Sequence, residues 1–157
     1  MVLGIDPGFG RLGFAVLTSV RGNPTITTFG CIETSAKSLH GDRLAKIARE
    51  VKALVKRYKP TIVAVERLFF SKNVKTALQV AEARGVILLT LAEANITPLE
   101  FSPQQVKLAA TGDARADKEQ VQKMLKLMFK LKEPPKPDDA ADAIAVALCG
   151  ITHQTKP

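Results

Sequence analysis

The first seventeen residues constrain the fold more than any other stretch, because two apolar runs flank a single sharp turn. Residues 2–5 favour a buried central strand, and residues 12–17 favour a second strand folded back on the first. Pro7 lacks a backbone donor and Gly8 permits a tight turn, so Asp6 marks the end of the first strand. An acid in that position is either a turn former or a ligand held at the edge of a sheet.

The segment that follows alternates between strand and helix patterns. Residues 25–34 are rich in β-branched side chains and predict a third strand, joined to the first two as an antiparallel meander. Apolar residues at three- and four-residue spacing predict an amphipathic helix over residues 43–58. Residues 61–66 and 96–101 predict two further strands, in parallel order. Between them, residues 76–95 predict a helix that is apolar on several faces, as expected for burial by its own sheet and by a second subunit.

Helix signals continue towards the end of the chain. Ser102 and Pro103 predict the first turn of a short helix, and Asp117 is a candidate cap for the next one. The side chains of that helix expected to face inward are Val121, Leu125 and Met128. Residues 138–150 predict a final helix after a proline-rich break. The whole order indicates one α/β domain over residues 1–157, with a five-stranded mixed sheet (three antiparallel strands, then parallel) flanked by helices.

Composition narrows the class of protein without identifying a function. Apolar residues make up 46% of the chain, as in globular proteins, and no apolar run approaches the roughly 20 residues of a membrane span. No basic leader precedes the first strand, and Cys31 and Cys149 are too few for a disulfide framework or a zinc site, so we expect a cytoplasmic protein. The net charge of +8 suits a polyanionic partner, although ribosomal and membrane-surface proteins share this property.

Carboxylates stand at three places where they are expected to converge. Asp6 and Glu66 each end a predicted strand, and Asp139 and Asp142 lie three residues apart on one face of the last helix. If the first and fourth strands are neighbours, their ends meet, and the helix completes a four-carboxylate cluster. Such clusters hold two Mg²⁺ ions roughly 4 Å apart and hydrolyse phosphodiesters. Asp138, by contrast, is a candidate N-cap of the helix.

Six short motifs follow one another along almost the whole chain. They are Gly4-Ile-Asp-Pro-Gly8, Val65-Glu-Arg-Leu-Phe69, Lys72-Asn73, Glu82-Ala-Arg-Gly-Val86, Gln105-Val-Lys107 and Asp139-Ala-Ala-Asp142-Ala. Each motif is weak alone, but the ordered set resembles the RuvC family of Holliday-junction resolvases. The resemblance implies an RNase H-like fold, a homodimer and paired nicking of four-way DNA junctions in recombination and repair. It also implies two Mg²⁺ ions per site, with Mn²⁺ able to substitute, and branch-migration partners of the RuvA and RuvB type.

The resemblance also assigns roles to individual residues. The acids at positions 6, 66, 139 and 142 match the family's catalytic metal ligands, and Phe69 matches the aromatic that stacks on an unpaired base. The expected DNA-binding residues are Phe69, Lys72, Asn73, Lys107 and Lys118. Taken alone, each lysine is equally an ordinary solvated side chain, and Phe69 could return to the core.

Two alternatives remain open at this point. A shift of one residue in register would make Asp138 the ligand and Asp139 the cap. Other functions on the same pattern are a related RNase H-fold nuclease acting on substrates such as RNA ends, an actin-like ATPase, and a non-catalytic junction-binding protein. The chain is short for the two domains of the ATPases and lacks a second phosphate-binding glycine turn. A non-catalytic protein predicts loss of acids, and all four are present.

Overall fold

The computed structural model describes residues 1–68 and 74–154 and has a five-stranded mixed sheet at its centre. The strands are β1 (Val2–Asp6), β2 (Arg11–Val20), β3 (Asn23–Glu33), β4 (Ile62–Glu66) and β5 (Leu99–Phe101), in the spatial order β3-β2-β1-β4-β5. The helices are α1 (His40–Tyr58), α2 (Val74–Glu93), α3 (Pro103–Thr111), α4 (Lys118–Met128) and α5 (Asp138–Gln154). The predicted order of elements and the predicted α/β class are both confirmed.

The direction of each strand also agrees with the prediction. β1 pairs antiparallel with β2, β2 pairs antiparallel with β3, and β4 lies parallel to both β1 and β5. The neighbour relation between β1 and β4, on which the convergence of acids depends, is therefore confirmed. Within the described residues, no helix is long and apolar enough to cross a membrane.

Several element boundaries differ from the expected ones. The β2–β3 hairpin is longer, because Arg21 and Gly22 both have positive φ and close a two-residue turn between Val20 and Asn23. The last strand is shorter and begins at Leu99 instead of residue 96. The amide of Ile96 donates to the carbonyl of Leu91 at 2.9 Å, so this part of the chain terminates α2 and does not join the sheet.

The two faces of the sheet are covered by different helices, and side chains alternate between them. Leu3 and Ile5 of β1 face a core shared with α1 and α2, whereas Val2 faces a core built mainly from α5, α3 and α4. Asp6 follows the parity of Val2, and Glu66 follows that of Ala64, which also belongs to the α5 core. Both acids therefore project on the face that α5 covers.

Glycine and alanine allow α5 to lie directly on the sheet. A Cβ at Gly4 would collide with backbone atoms of Ala143 and Ala147, and one at Gly13 would collide with the carbonyl group of Asp139. The alanines of α5 that are buried in this contact are Ala140, Ala141, Ala143, Ala145 and Ala147. The small side chains bring the backbone of the helix close to β1 and β2, so the start of α5 is held over the end of β1.

The predicted caps of α3 and α4 are confirmed. The side chains of Ser102 and Asp117 each accept a hydrogen bond from the backbone three residues later, in complete capping boxes. One inward-facing prediction is wrong: Val121 and Leu125 are buried, but Met128 is 41% exposed. The helix ends at Met128, and Phe129, the next residue, packs against the core in its place.

Candidate active site

Asp6 and Glu66 lie side by side because their strands are adjacent and in matched register. Ile5 pairs with Val65 across the parallel β1–β4 ladder, so the next residue of each strand is an acid on the same edge. The two carboxyl groups share a hydrogen bond. Two negative charges in contact repel each other, so such a pair favours either protonation of one acid or a bound cation.

Burial is the main cause of the raised pKa values of Asp6 and Glu66. It raises the pKa of Asp6 well above the ordinary value of 3.8, and the negative charges of Glu66 and Asp142 raise it further. Burial also raises the pKa of Glu66 above 4.5, although the hydrogen bond from Asp6 opposes that shift. The neutral form of Asp6 is therefore favoured more than that of an ordinary aspartic acid, and a cation bound beside the pair would oppose this shift.

The first turn of α5 brings the other two predicted acids to the same place. The carbonyl of Asp139 lies against Gly13, which is the β2 partner of Asp6. Burial raises the pKa of Asp142, which the positive charge of Lys118 partly offsets. The charge of Asp142 in turn raises the pKa of both Asp6 and Glu66, so the structure groups the four predicted acids electrostatically.

Two cations contact the acids of α5 from opposite sides. Arg11, the first residue of β2, places Nε 3.2 Å from Oδ2 of Asp139. Lys118, the first residue of α4, places Nζ 3.0 Å from Oδ2 of Asp138 and 3.8 Å from Oδ2 of Asp142. Partial burial lowers the pKa of Lys118, but its acidic partners outweigh that effect and the net shift is upward. The structure thus places Lys118 beside the acids of α5, while its predicted contact with DNA stays a prediction.

Sequence reasoning missed Arg11. Arg11 lies five residues after Asp6, directly beyond Gly10. This position indicates a role beside the acids only once the register of β2 is known. In the structure, Gly13 lies beneath Asp139, and Arg11 stands two residues earlier on the same face of β2. The side chain can then reach the carboxylate of Asp139 from the sheet.

Asp138 occupies the outside of the cluster and differs from its predicted role as the cap of α5. The helix begins at Asp138 itself, and the carbonyl of Pro137 accepts from the amides of Ala140 and Ala141 at the start of the helix. The hydrogen bonds from Lys118 and Gln122 lower the pKa of Asp138, whose Oδ1 accepts from Nε2 of Gln122 at 2.9 Å. Asp138 thus faces α4, whereas Asp139 faces β2.

The remaining predicted site residues have different outcomes. Lys107, on α3, is half-buried, and its positive charge acts on Glu66. The proposed contact of Lys107 with DNA stays a prediction. Phe69, Lys72 and Asn73 lie outside the described residues.

Contacts of the buried Phe9 ring support the turn that follows Asp6. Phe9 is 4% exposed, and its ring stacks on His40 with centroids 4.6 Å apart, while the guanidinium of Arg43 lies 3.8 Å from the ring centroid. Thr34 donates its hydroxyl to the carbonyl of Phe9 at 2.6 Å. The sequence analysis did not identify these contacts, which join the turn to α1 and β3 and so hold the end of β1 in place.

The four acids are chemically suitable ligands for Mg²⁺, although in this structure they are paired with other groups. Four carboxylates supply only oxygen ligands, which hard divalent cations prefer. Oδ2 of Asp139 is buried and accepts no hydrogen bond from the described part of the chain, so it is available as a ligand. Across residues 1–68 and 74–154, no three acidic, histidine or cysteine side chains converge into a ready-made metal site. Arg11 on β2 and Lys118 on α4 pair with the acids of α5, which a metal would need as ligands.

Comparisons with known proteins agree on one family. The family model for crossover junction endodeoxyribonuclease RuvC matches residues 2–150. The protein of that name from Petrotoga mobilis is 49% identical over 149 residues, covering 95% of this chain and 91% of the relative. The one from Caldicellulosiruptor saccharolyticus is 48% identical over 151 residues, covering 96% of this chain and 91% of the relative.

The similarity extends to a solved structure. Thermus thermophilus RuvC in complex with a Holliday junction substrate matches with a TM-score of 0.90 at 33% sequence identity. The match covers 98% of this chain and 93% of that one. Since a family model and close relatives match almost the full length of the sequence, the chain belongs to the RuvC family of crossover junction endodeoxyribonucleases.

Proposed function

We propose that this protein is a structure-selective endonuclease that resolves four-way DNA junctions by paired symmetric nicks, in homologous recombination and DNA repair. The observation that carries the proposal is the meeting of Asp6 and Glu66, at adjacent strand ends, with Asp139 and Asp142 on α5. The relative from Thermus thermophilus, solved with a Holliday junction substrate, supports the same substrate class for this chain.

The acids on the α5 face of the sheet are the proposed metal ligands, namely Asp6, Glu66, Asp139 and Asp142. When bound there, two Mg²⁺ ions would supply an activated water and stabilisation of the leaving 3′ oxygen. The protein contributes the position of its carboxylates, which two strand ends and one tightly packed helix hold on a common face. Because burial and the neighbouring acids raise the pKa of Asp6, metal binding at this carboxylate competes with its protonation.

Basic residues around the acids are the proposed contacts to DNA. Lys107 on α3 and Lys118 at the start of α4 are placed to meet backbone phosphates, and Lys118 adds the exposed amides of a helix N-terminus. From the resemblance, we propose that Phe69 stacks on an unpaired base at the crossover and that Lys72 and Asn73 contact the DNA. The net charge of +8 favours the approach of a polyanion in general.

We further propose that two copies associate through α2. Ala83, Ile87 and Leu91 are buried against the sheet, whereas Leu78 and Leu89 are 62% and 61% exposed. Helical spacing aligns these two leucines with Gly85, where no atom of the described chain lies within 4 Å of a Cβ position. We call Leu78, Gly85 and Leu89 the outer stripe of α2. A two-fold dimer suits a junction, which has two equivalent strands to cut.

The cellular setting follows from the same proposal. A nuclease that resolves junctions works where DNA is recombined, so we propose a cytoplasmic location. Branch migration moves the crossover to a cleavable position, and proteins of the RuvA and RuvB type are the proposed partners for that step. Mn²⁺ is expected to replace Mg²⁺, since both accept carboxylate ligands.

The test compares Asp6→Asn with the wild-type protein on a four-way junction, a linear duplex and an RNA of the same length. We expect the wild-type protein to cleave the junction selectively with Mg²⁺, and the variant to bind it with unchanged affinity but not to cleave it. Asp42→Asn is a matched control, because Asp42 is an exposed acid on α1, across the sheet from α5. Normal cleavage by Asp6→Asn would show that the metal assignment is wrong.

A further inference from the structure

The contact between Arg11 and Asp139 is an ion pair without a hydrogen bond. Nε of Arg11 lies 3.2 Å from Oδ2 of Asp139, close enough for a strong Coulombic attraction. The same oxygen is buried and accepts no aligned donor from the residues that the structure describes. A carboxylate oxygen that is buried, charged and unbonded normally has a partner of its own. Arg11 therefore offsets the negative charge of Asp139 without donating a hydrogen bond to its Oδ2.

The two members of the pair differ in how freely they can move. The side chain of Asp139 is 25% exposed and is held by the packing of α5 over Gly13. The side chain of Arg11 is 57% exposed and stands at the first residue of β2. Arg11 can therefore leave towards solvent, while Asp139 stays in place.

The geometry points to Arg11 as a positioning residue that acts as the counter-ion of Asp139 in the metal-free protein and competes with a metal ion for that carboxylate. This inference rests on the proposed function, in which Asp139 is a metal ligand. Arg11 weakens metal binding in two ways. It occupies the carboxylate, and its positive charge raises the free energy of a divalent cation nearby.

The experiment measures the thermal unfolding of the protein without DNA, as a function of Mg²⁺ concentration. Ligand binding to the folded state raises the unfolding temperature, so the metal dependence reports affinity directly. We expect Arg11→Gln to lower the half-maximal Mg²⁺ concentration by about two- to fivefold, the range of a partly exposed ion pair. Arg11→Lys keeps the charge but loses the planar group. We expect its half-maximal Mg²⁺ concentration to lie between those of Arg11→Gln and the wild-type protein.

Arg115→Gln is the matched control, because it removes the same charge from a residue whose side chain is 94% exposed. We expect its Mg²⁺ dependence to equal that of the wild-type protein. Equal midpoints for wild type and Arg11→Gln would overturn the role of Arg11 alone. A wild-type protein whose unfolding temperature does not respond to Mg²⁺ would overturn the metal assignment and this inference together. Weaker junction binding by Arg11→Gln with an unchanged Mg²⁺ midpoint would make Arg11 a DNA contact instead.

Discussion

At the scale of single residues, the site is a set of acids whose repulsion is relieved in three different ways. Asp6 and Glu66 share a hydrogen bond, Arg11 pairs with Asp139, and Lys118 bridges Asp138 and Asp142. Each of these arrangements offsets negative charge in the absence of a metal ion. The acids were predictable, because an acid at a strand end or one turn into a helix is visible in the sequence. Arg11 was not, because its partner depends on strand register and on the packing of α5.

The raised pKa of Asp6 predicts how the stability of the metal-free protein depends on pH. A carboxyl group whose pKa is higher in the folded than in the unfolded state stabilises the protein at low pH. That stability is lost as the pH rises above 3.8 through the folded pKa. Relative to Asp6→Asn, the wild-type protein should lose about 1.4 kcal/mol of unfolding free energy for each pH unit within this window.

Urea unfolding in a chelating buffer, from about pH 4 to about pH 8, measures this difference. Comparing the two proteins at each pH removes the contribution of other titrating groups, provided that these are unchanged. A difference in unfolding free energy that stays constant with pH would show that Asp6 has an ordinary pKa.

The Asp138–Asp139 doublet gives a second prediction at this scale. We expect Asp139→Asn to abolish cleavage, because its side chain faces the other acids, and Asp138→Asn to retain it within about tenfold, because the partly exposed pair with Lys118 contributes little. Single-turnover cleavage of a four-way junction at saturating protein measures both. An inactive Asp138→Asn beside an active Asp139→Asn would reverse the assignment.

At the scale of elements, the position of α5 decides whether the acids meet. Its alanines and the glycines beneath it let the helix approach β1 and β2 closely, and this contact places Asp139 over Gly13. The sequence predicted the helix and its acidic pair from residue spacing alone. The closeness of the contact was not predictable, since it depends on which glycines the topology brings under the helix. The late start of β5, at Leu99 instead of residue 96, likewise depends on a helix-terminating contact of Ile96.

Gly13→Ala tests the importance of that contact. A Cβ at this position would collide with the carbonyl of Asp139, which is backbone and cannot rotate away. We expect a loss of about 1–3 kcal/mol in unfolding free energy, as in other overpacked sites, together with reduced cleavage. The matched control is Gly41→Ala in α1, where no described atom lies within 4 Å of the added Cβ. Urea unfolding of both variants gives the comparison, and a neutral Gly13→Ala would contradict the proposed close packing.

At the scale of the whole molecule, the helices on the two faces of the sheet have different roles. α5 covers the face that carries Asp6 and Glu66, while α2 covers the opposite face and carries the outer stripe. The sequence already indicated that α2 is apolar on several faces. The fold was needed to show which of these apolar residues remain exposed, because Ala83, Ile87 and Leu91 are buried against the sheet.

Leu89→Glu tests the proposed dimer. A carboxylate in the outer stripe of α2 would lie in the apolar interface of two copies, where an unpaired charge is costly. We therefore expect the variant to be monomeric in sedimentation at concentrations where the wild-type protein is dimeric. Leu127→Glu is the control, since Leu127 on α4 is equally exposed, at 62% against 61%. A dimeric Leu89→Glu would place the interface elsewhere.

The most direct test of the central claim maps the products formed from a synthetic mobile four-way junction with Mg²⁺. The account predicts two nicks at symmetric positions in strands of like polarity, with ends that DNA ligase seals, and no such products from Asp6→Asn. Unpaired or asymmetric nicks, unligatable ends, or equal cleavage of linear duplex DNA would contradict it.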